Sequence, residues 1–215
     1  MKRQPLAKSS ESRPVNYDGS RCQWTRDDVL MNEYHDHEWG VPLRDAQKLF
    51  EFLVLDAFQA GLSWRTVLYK RENFRRAFDG FNPERIAKYG STQVAKLLRD
   101  EGIIRNRAKV AGTIKNARAF LEFRRSGKSF AELVWQSVKG KPKVNRWRKM
   151  GELPARTKES DFLSALLKEN GFVFVGSTIC YAFMQAAGLV NDHVISCPRF
   201  KAVLDLSLPS RPSRG

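Results

Sequence analysis

Residues 45–61 read DAQKLFEFLVLDAFQAG, and this stretch decides the fold class. Leu49, Phe50, Phe52, Leu53, Leu55 and Phe58 recur at a spacing that a helix gathers onto one broad face. Asp45 is placed to cap the first turn and Gly61 to stop the last. The pattern continues outward. A second helix is expected from Ser63 through Val67, Leu68 and Phe74 to Phe78, ending at Asp79 and Gly80. Short helices follow Pro83 and Ser91, and residues 106–123 make the longest, with Val110, Ile114, Ala117, Phe120 and Leu121 as its stripe. Residues 130–137 form another, and Thr157 or Ser160 caps one that continues to about Glu169. Between them, residues 140–154 are a basic connector carrying Lys141, Lys143, Arg146, Arg148 and Lys149. No stretch alternates as a strand would. The chain reads as all-α: a polar, basic, disordered tail over 1–20, one domain over 21–200, and a flexible tail over 201–215.

Of the 215 residues, 42% are hydrophobic, enough for a single domain with its own core. The formal net charge of +15 favours a polyanionic partner, with nucleic acid first and an anionic membrane surface as the rival. No apolar run approaches the ~18–20 residues that cross a bilayer, and the N-terminus lacks the apolar core of a secretory signal. Three widely spaced cysteines are no disulfide framework, which points to a reducing compartment. Nothing resembles a heptad or an exposed apolar edge, so a monomer is expected.

Three constellations carry chemistry. Cys22 and His35 near one end, with His193 and Cys197 near the other, make a Cys2His2 set suited to tetrahedral zinc. All four positions would be protein ligands, so such a zinc is structural. The alternative is unrelated buried thiols and imidazoles. Second, Asn170 and Gly171 end a helix, residues 172–176 read Phe-Val-Phe-Val-Gly, and Ser177 or Thr178 can cap the next helix through Tyr181, Phe183, Met184 and Ala187. That is the pattern of a helix-hairpin-helix module. Its glycines let backbone approach a phosphate, and the following amides point at it. An αα-hairpin packed in the core reads the same way. Third, Trp24, Tyr34, Trp39 and Trp64 cluster in the first third, at loop–helix junctions where aromatics can sandwich a planar base. Asp56, eight residues before Trp64, can accept from an exocyclic amine. The bland reading is aromatic core with Asp56 as a helix-face acid.

The words Cys22-Gln23-Trp24, Tyr34-His35-Asp36-His37-Glu38-Trp39-Gly40-Val41-Pro42, Gln59-Ala60-Gly61-Leu62-Ser63-Trp64, Lys70-Arg71-Glu72-Asn73-Phe74, Gly102-Ile103-Ile104-Arg105-Asn106-Arg107, residues 171–180, and Gly188-Leu189-Val190-Asn191-Asp192-His193 run in one order from about residue 21 to 197. With them the chain resembles the bacterial DNA-3-methyladenine glycosylase I family. The resemblance implies a compact helical domain of the helix-hairpin-helix glycosylase superfamily, its termini joined by a structural zinc on Cys22, His35, His193 and Cys197. It implies a cytoplasmic, nucleoid-associated enzyme of base excision repair, acting on double-stranded DNA that contains alkylated adenine.

By the same resemblance Tyr34 and Trp64 stack on the flipped base with Trp24 and Trp39 close by, and Asp56 stands where the family has a base-reading Glu. Those three residues, Asp56, Tyr34 and Trp64, are the implied catalytic set. Leu62 on the Gly61 turn is the implied wedge, and Gly171, Gly176, Ser177 and Thr178 the phosphate grip. Related glycosylases carry a catalytic Asp where this chain has Asn191, which cannot deprotonate water. Excision is therefore expected to rely on the cationic base as leaving group, without a strand-cleaving step. Asp192 is expected either to assist electrostatically or to orient His193. Glu38 is expected to support the pocket, His37 to be a solvent or structural histidine, and Arg105, Arg107 and Lys109 to flank DNA or form a solvated face. Asp56 is shorter than Glu by a methylene, roughly 1.3–1.5 Å of reach. That keeps a different alkylated base, or a non-catalytic binder of damaged DNA, as the alternative reading.

Overall fold

Asp45 and Gly61 bound the helix around which the domain is built. In a computed structural model of the chain, residues 21–26 and 28–207 are described; the tail expected over 1–20 lies outside them. Helix α1 spans Val29–His37, α2 Ala46–Gln59 and α3 Trp64–Ala77. Asp28, Asp45 and Ser63 cap them, each side chain accepting from the backbone N–H three residues on. The next elements are α4 (Pro83–Ile86), α5 (Ser91–Arg99), the 19-residue α6 (Arg107–Arg125) and α7 (Phe130–Trp135). Helices α8 (Lys158–Glu169), α9 (Ser177–Ala186) and α10 (Pro198–Ser207) complete a mostly helical compact domain. No helix among the described residues is long and apolar enough to cross a membrane.

Helix α2 is buried on every side rather than along one face. Every residue from Leu49 to Phe58 is buried, including Glu51 and Asp56, because α3, α6, α7 and α9 all pack against it. Glu51 is neutralised there by Arg75 at 2.7 Å. Aromatic rings fill the space beneath: Phe58, Phe74 and Phe78 stack edge and face below α2, and Phe120, Phe130 and Phe172 do so on the other flank.

Three expectations change. The basic connector contains a strand, β1 (Lys143–Val144), paired in parallel with β2 (Val190–Asn191); two residues are too few for alternation to register in sequence. Residues 201–207 are not a tail but the last turns of α10, held by the buried Val203; residues 208–215 lie outside the described part. At α9 neither Ser177 nor Thr178 caps. Gly176 takes the N-cap position without a side-chain bond, because the hairpin is pinned in a different register. Asn116 of α6 pairs with both the N–H and the carbonyl of Val173, Ser164 of α8 donates to the Val175 carbonyl, and the Ser177 hydroxyl is held by Ser160.

Gly188 closes α9 with φ +69, and a Cβ there would lie 2.3 Å from the Val41 carbonyl carbon. Gly188→Ala therefore combines left-handed strain with a backbone clash. A loss of about 2–4 kcal/mol is expected in urea unfolding; a loss below about 1 kcal/mol would show that the two segments separate freely.

Candidate base pocket and metal-ligand cluster

The two ends of the domain meet at four buried side chains. Cys22 precedes a single 3-10 turn, His35 lies on α1, and His193 and Cys197 lie on the loop between β2 and α10. Their ligand atoms all fall within 4.8 Å of one another. His35 Nε2 is 3.2 Å from His193 Nδ1, Cys197 Sγ is 3.5 Å from His35 Nε2 and 3.7 Å from His193 Nδ1, and Cys22 Sγ is 3.8 Å from His193 Nδ1. Bonds of about 2.0 Å to nitrogen and 2.3 Å to sulfur give a tetrahedron with edges of about 3.3–3.8 Å. Four of the six separations match those edges, and the cluster could hold a metal ion. Hydrogen bonding between the two thiols splits them, lowering Cys197 and, together with burial, raising Cys22, so the pair shares one proton that a metal would displace; burial lowers His193 toward the neutral ring a ligand needs.

The remaining ring nitrogens are also engaged. His35 Nδ1 meets Asp36 Oδ1 at 2.8 Å, and Arg21 holds Asp36 in turn; His193 Nε2 meets the Trp39 carbonyl at 3.1 Å. The orienting role anticipated for Asp192 therefore falls to the Trp39 carbonyl. Asp192 instead accepts from Tyr181, Gln185, Asn145 and Trp147 at 2.5–2.8 Å. It does not itself line the cavity described next, although Gln185, which donates to it, does. Asn191 is buried, donating to the Phe200 carbonyl and accepting from the His193 N–H.

Trp39 and Trp24 carry the cluster into a cleft of about 1450 Å³. Trp39 packs on the His193 ring at 4.6 Å, and Trp24 on His35 at 5.5 Å and on Trp39 at 5.1 Å. Tyr34 from α1, Asp56 from α2 and Trp64 at the start of α3 complete the aromatic wall. All five pocket residues singled out in the sequence thus line one cavity. Tyr34 and Trp64 touch, centroids 5.0 Å apart and tilted by 42°. Two stacking contacts of about 3.5 Å each need about 7 Å, so a base between these two rings requires one of them to swing.

Three polar atoms on this cavity are buried without a hydrogen-bond partner: Asp56 Oδ2, Trp24 Nε1 and Trp64 Nε1. Each such atom costs about 1–3 kcal/mol. Burial holds the Asp56 carboxyl well above the usual carboxylate range, favouring the neutral acid. Burial also raises the Tyr34 phenol, with Asp56 and Glu38 adding to it. Glu38 grips Arg71 in a two-pronged ion pair at 2.6 and 2.8 Å, and that guanidinium lies 5.9 Å from the Tyr34 ring. Glu38 thus supports the pocket wall, and His37 is exposed.

The Asp56 shift has a stability consequence. Its folded value lies above the unfolded one of about 3.9, so the native state binds the proton more tightly and stability falls as pH rises from about 4 toward the folded value. Asp56→Asn cannot ionise. It is expected to melt above the wild type near pH 7.5, with the gap closing toward pH 4; a gap that does not change with pH would contradict a buried, proton-binding Asp56.

The turn after α2 exposes Leu62, with Gly61 at φ +82. Sequence reasoning missed what holds it. Lys109 Nζ donates to the Phe58 and Ala60 carbonyls at 2.9 and 2.7 Å, closing the end of α2. Lys109 therefore caps α2, while Arg105 is exposed beside Glu101. The hairpin places Gly171 and Gly176 at its two ends, and the first-turn amides of α9, at Ser177 and Thr178, have no side-chain cap.

A family model described as methyladenine glycosylase matches residues 24–200. DNA-3-methyladenine glycosylase 1 of Escherichia coli is 50% identical over 177 residues, 82% of this chain and 95% of that protein. A crystal structure of a 3-methyladenine DNA glycosylase I superposes with a TM-score of 0.82 at 50% identity, over 83% of this chain and 98% of the other. A variant of such an enzyme, solved in complex with 3-methyladenine, superposes at 0.80 with 33% identity, over 83% and 96%.

Proposed function

The chain belongs to the methyladenine glycosylase family, and we propose that it hydrolyses the N-glycosidic bond of 3-methyladenine in DNA, with the cavity beneath Trp24, Tyr34 and Trp64 as its base pocket. It is a hydrolytic N-glycosylase of DNA repair. The observation that carries the pocket assignment is the trio of unpartnered buried atoms on one aromatic-walled cleft. An adenine offers them partners. Its N7 accepts and its N6 amine donates, which is the complement of a neutral carboxylic acid with one donor and one acceptor. Guanine offers two acceptors on that edge, so Asp56 selects adenine.

The target nucleotide leaves the duplex, Leu62 fills its place, and the base stacks against Trp64 and Tyr34 while Trp24 and Trp39 wall the cleft. Methylation at N3 makes the nucleotide base cationic, so the base leaves as a neutral molecule when the C1′–N9 bond breaks. Water adds at C1′ and its proton passes to solvent. Excision proceeds without a lyase step in this reading, since none of the described residues that line the cavity is a lysine. The α8–hairpin–α9 segment acts as a helix-hairpin-helix, with Gly171, Gly176, Ser177 and Thr178 presenting backbone to phosphates of the duplex. Cys22, His35, His193 and Cys197 hold a structural zinc, whose four protein ligands leave no position for substrate. In this reading the protein works as a monomer on nucleoid DNA in the cytoplasm.

Chromatography of purines released from methylated DNA tests this. Wild type is expected to release 3-methyladenine, and Trp64→Ala to lose about 5- to 150-fold in kcat/KM, the value of one base–aromatic stack. Tight DNA binding by the wild type without any base release would overturn the reading.

A further inference from the structure

The connector between α7 and α8 has a role that its sequence alone does not disclose. Its extended run alternates. Asn145 and Trp147 turn inward and both donate to Asp192 Oδ1, at 2.7 and 2.8 Å, while Arg146, Arg148 and Lys149 are exposed. Asp192 is anchored from the other side by Tyr181 and Gln185 of α9. Backbone bonds fix the same run at Lys143 to Leu189, at Asn145 to Asn191, and at Ile195 to Trp147. Beyond Lys149 the chain returns to the cleft, where Met150 and Leu153 form part of the wall. Arg146 lies over the Phe200 ring, and Glu152 is spent on the Arg148 backbone N–H. Neither the Arg148 guanidinium nor the Lys149 ammonium has a carboxylate partner among the described ion pairs.

We propose that this Asp192-pinned strap is a second phosphate contact, presenting Arg148 and Lys149 to the DNA backbone at the rim of the base cleft, apart from the hairpin. The geometry argues for it twice. A buried carboxylate with four donors fixes where the strap runs, so its cations are held in place rather than carried on a free loop. Two adjacent unpaired cations beside a cleft that receives a flipped nucleotide meet the phosphates flanking that nucleotide. The inference rests on the glycosylase reading for its DNA partner.

The test measures binding of a fluorescent, undamaged duplex oligonucleotide across a range of sodium chloride concentrations. It compares the wild type, Arg148→Gln/Lys149→Gln, and the charge-matched control Arg124→Gln/Arg125→Gln at the end of α6. Each lost phosphate contact flattens the slope of log K against log salt by about 0.9, so the strap variant should flatten it by about 1.8 and the control by much less. Single-turnover release of 3-methyladenine at saturating protein should stay within about twofold of wild type, because the strap touches no reacting atom. An unchanged slope, or equal flattening by the control, overturns the proposal. Intact release with an unchanged slope removes the strap alone. A flattened slope without any release by the wild type removes the enzymatic reading and leaves the contact.

Discussion

Cys197→Ser is expected to yield protein without the proposed zinc and to lose several kcal/mol of stability, a large share of the roughly 5–15 kcal/mol that holds a domain together. The size follows from position. The four ligand residues are buried, their ligand atoms lie within 4.8 Å of one another, and they join segments 158–171 residues apart. In the variant one thiol and two imidazoles remain around a serine hydroxyl, a poor zinc ligand, so one coordination position of the proposed site is left open. Damage should spread to the pocket, because Trp24 and Trp39 pack directly on the ligand rings. Atomic emission of the purified wild type should report one zinc per chain, and a strong chelator should lower its melting temperature and its base release together. Metal-free wild type with an unaltered melt would show the cluster to be a packed core of thiols and imidazoles instead.

Much of this architecture was legible from local chemistry. Asp45, Ser63, Asn106 and Thr157 all cap where a short polar side chain precedes an apolar run. The Cys2His2 set was legible as residue types near the two ends, and the four pocket aromatics as residue types at loop–helix junctions, whereas Asp56 lies inside α2. What sequence could not carry were relations between distant segments. The Trp39 carbonyl that orients His193 is a backbone group and leaves no trace in residue identity. The Lys109 cap on α2 joins residues 51 and 49 positions apart. Gly176 replaces Ser177 as N-cap because Asn116, Ser164 and Ser160, from two other helices, fix the hairpin register. In α2 the apolar pattern was read as one face, although four neighbouring helices bury it all round. Burial of Asp56 therefore looked no different from a helix-face acid.

Asp56→Ala is expected to reduce kcat/KM for 3-methyladenine release by about 5- to 150-fold, the range of one good bidentate base contact at about 1–3 kcal/mol. Selectivity should change along with rate. A carboxylic acid that donates to N7 and accepts from the N6 amine rejects guanine, whose edge presents two acceptors, so the preference for 3-methyladenine over 3-methylguanine should narrow in the Ala variant. Burial keeps Asp56 well above its ordinary value and Oδ2 has no partner within the protein. The neutral acid is thus the form expected to meet the base, and Asp56→Asn, which likewise sets an N–H donor beside a carbonyl acceptor, should retain release to within about tenfold. An Asn variant as impaired as the Ala variant would mean that the cationic base draws out the carboxylate and that its charge does the reading. Asp56→Glu extends the same group by one methylene and should keep adenine selectivity. Full activity of Asp56→Ala would remove Asp56 from base reading altogether and leave recognition to the aromatic wall.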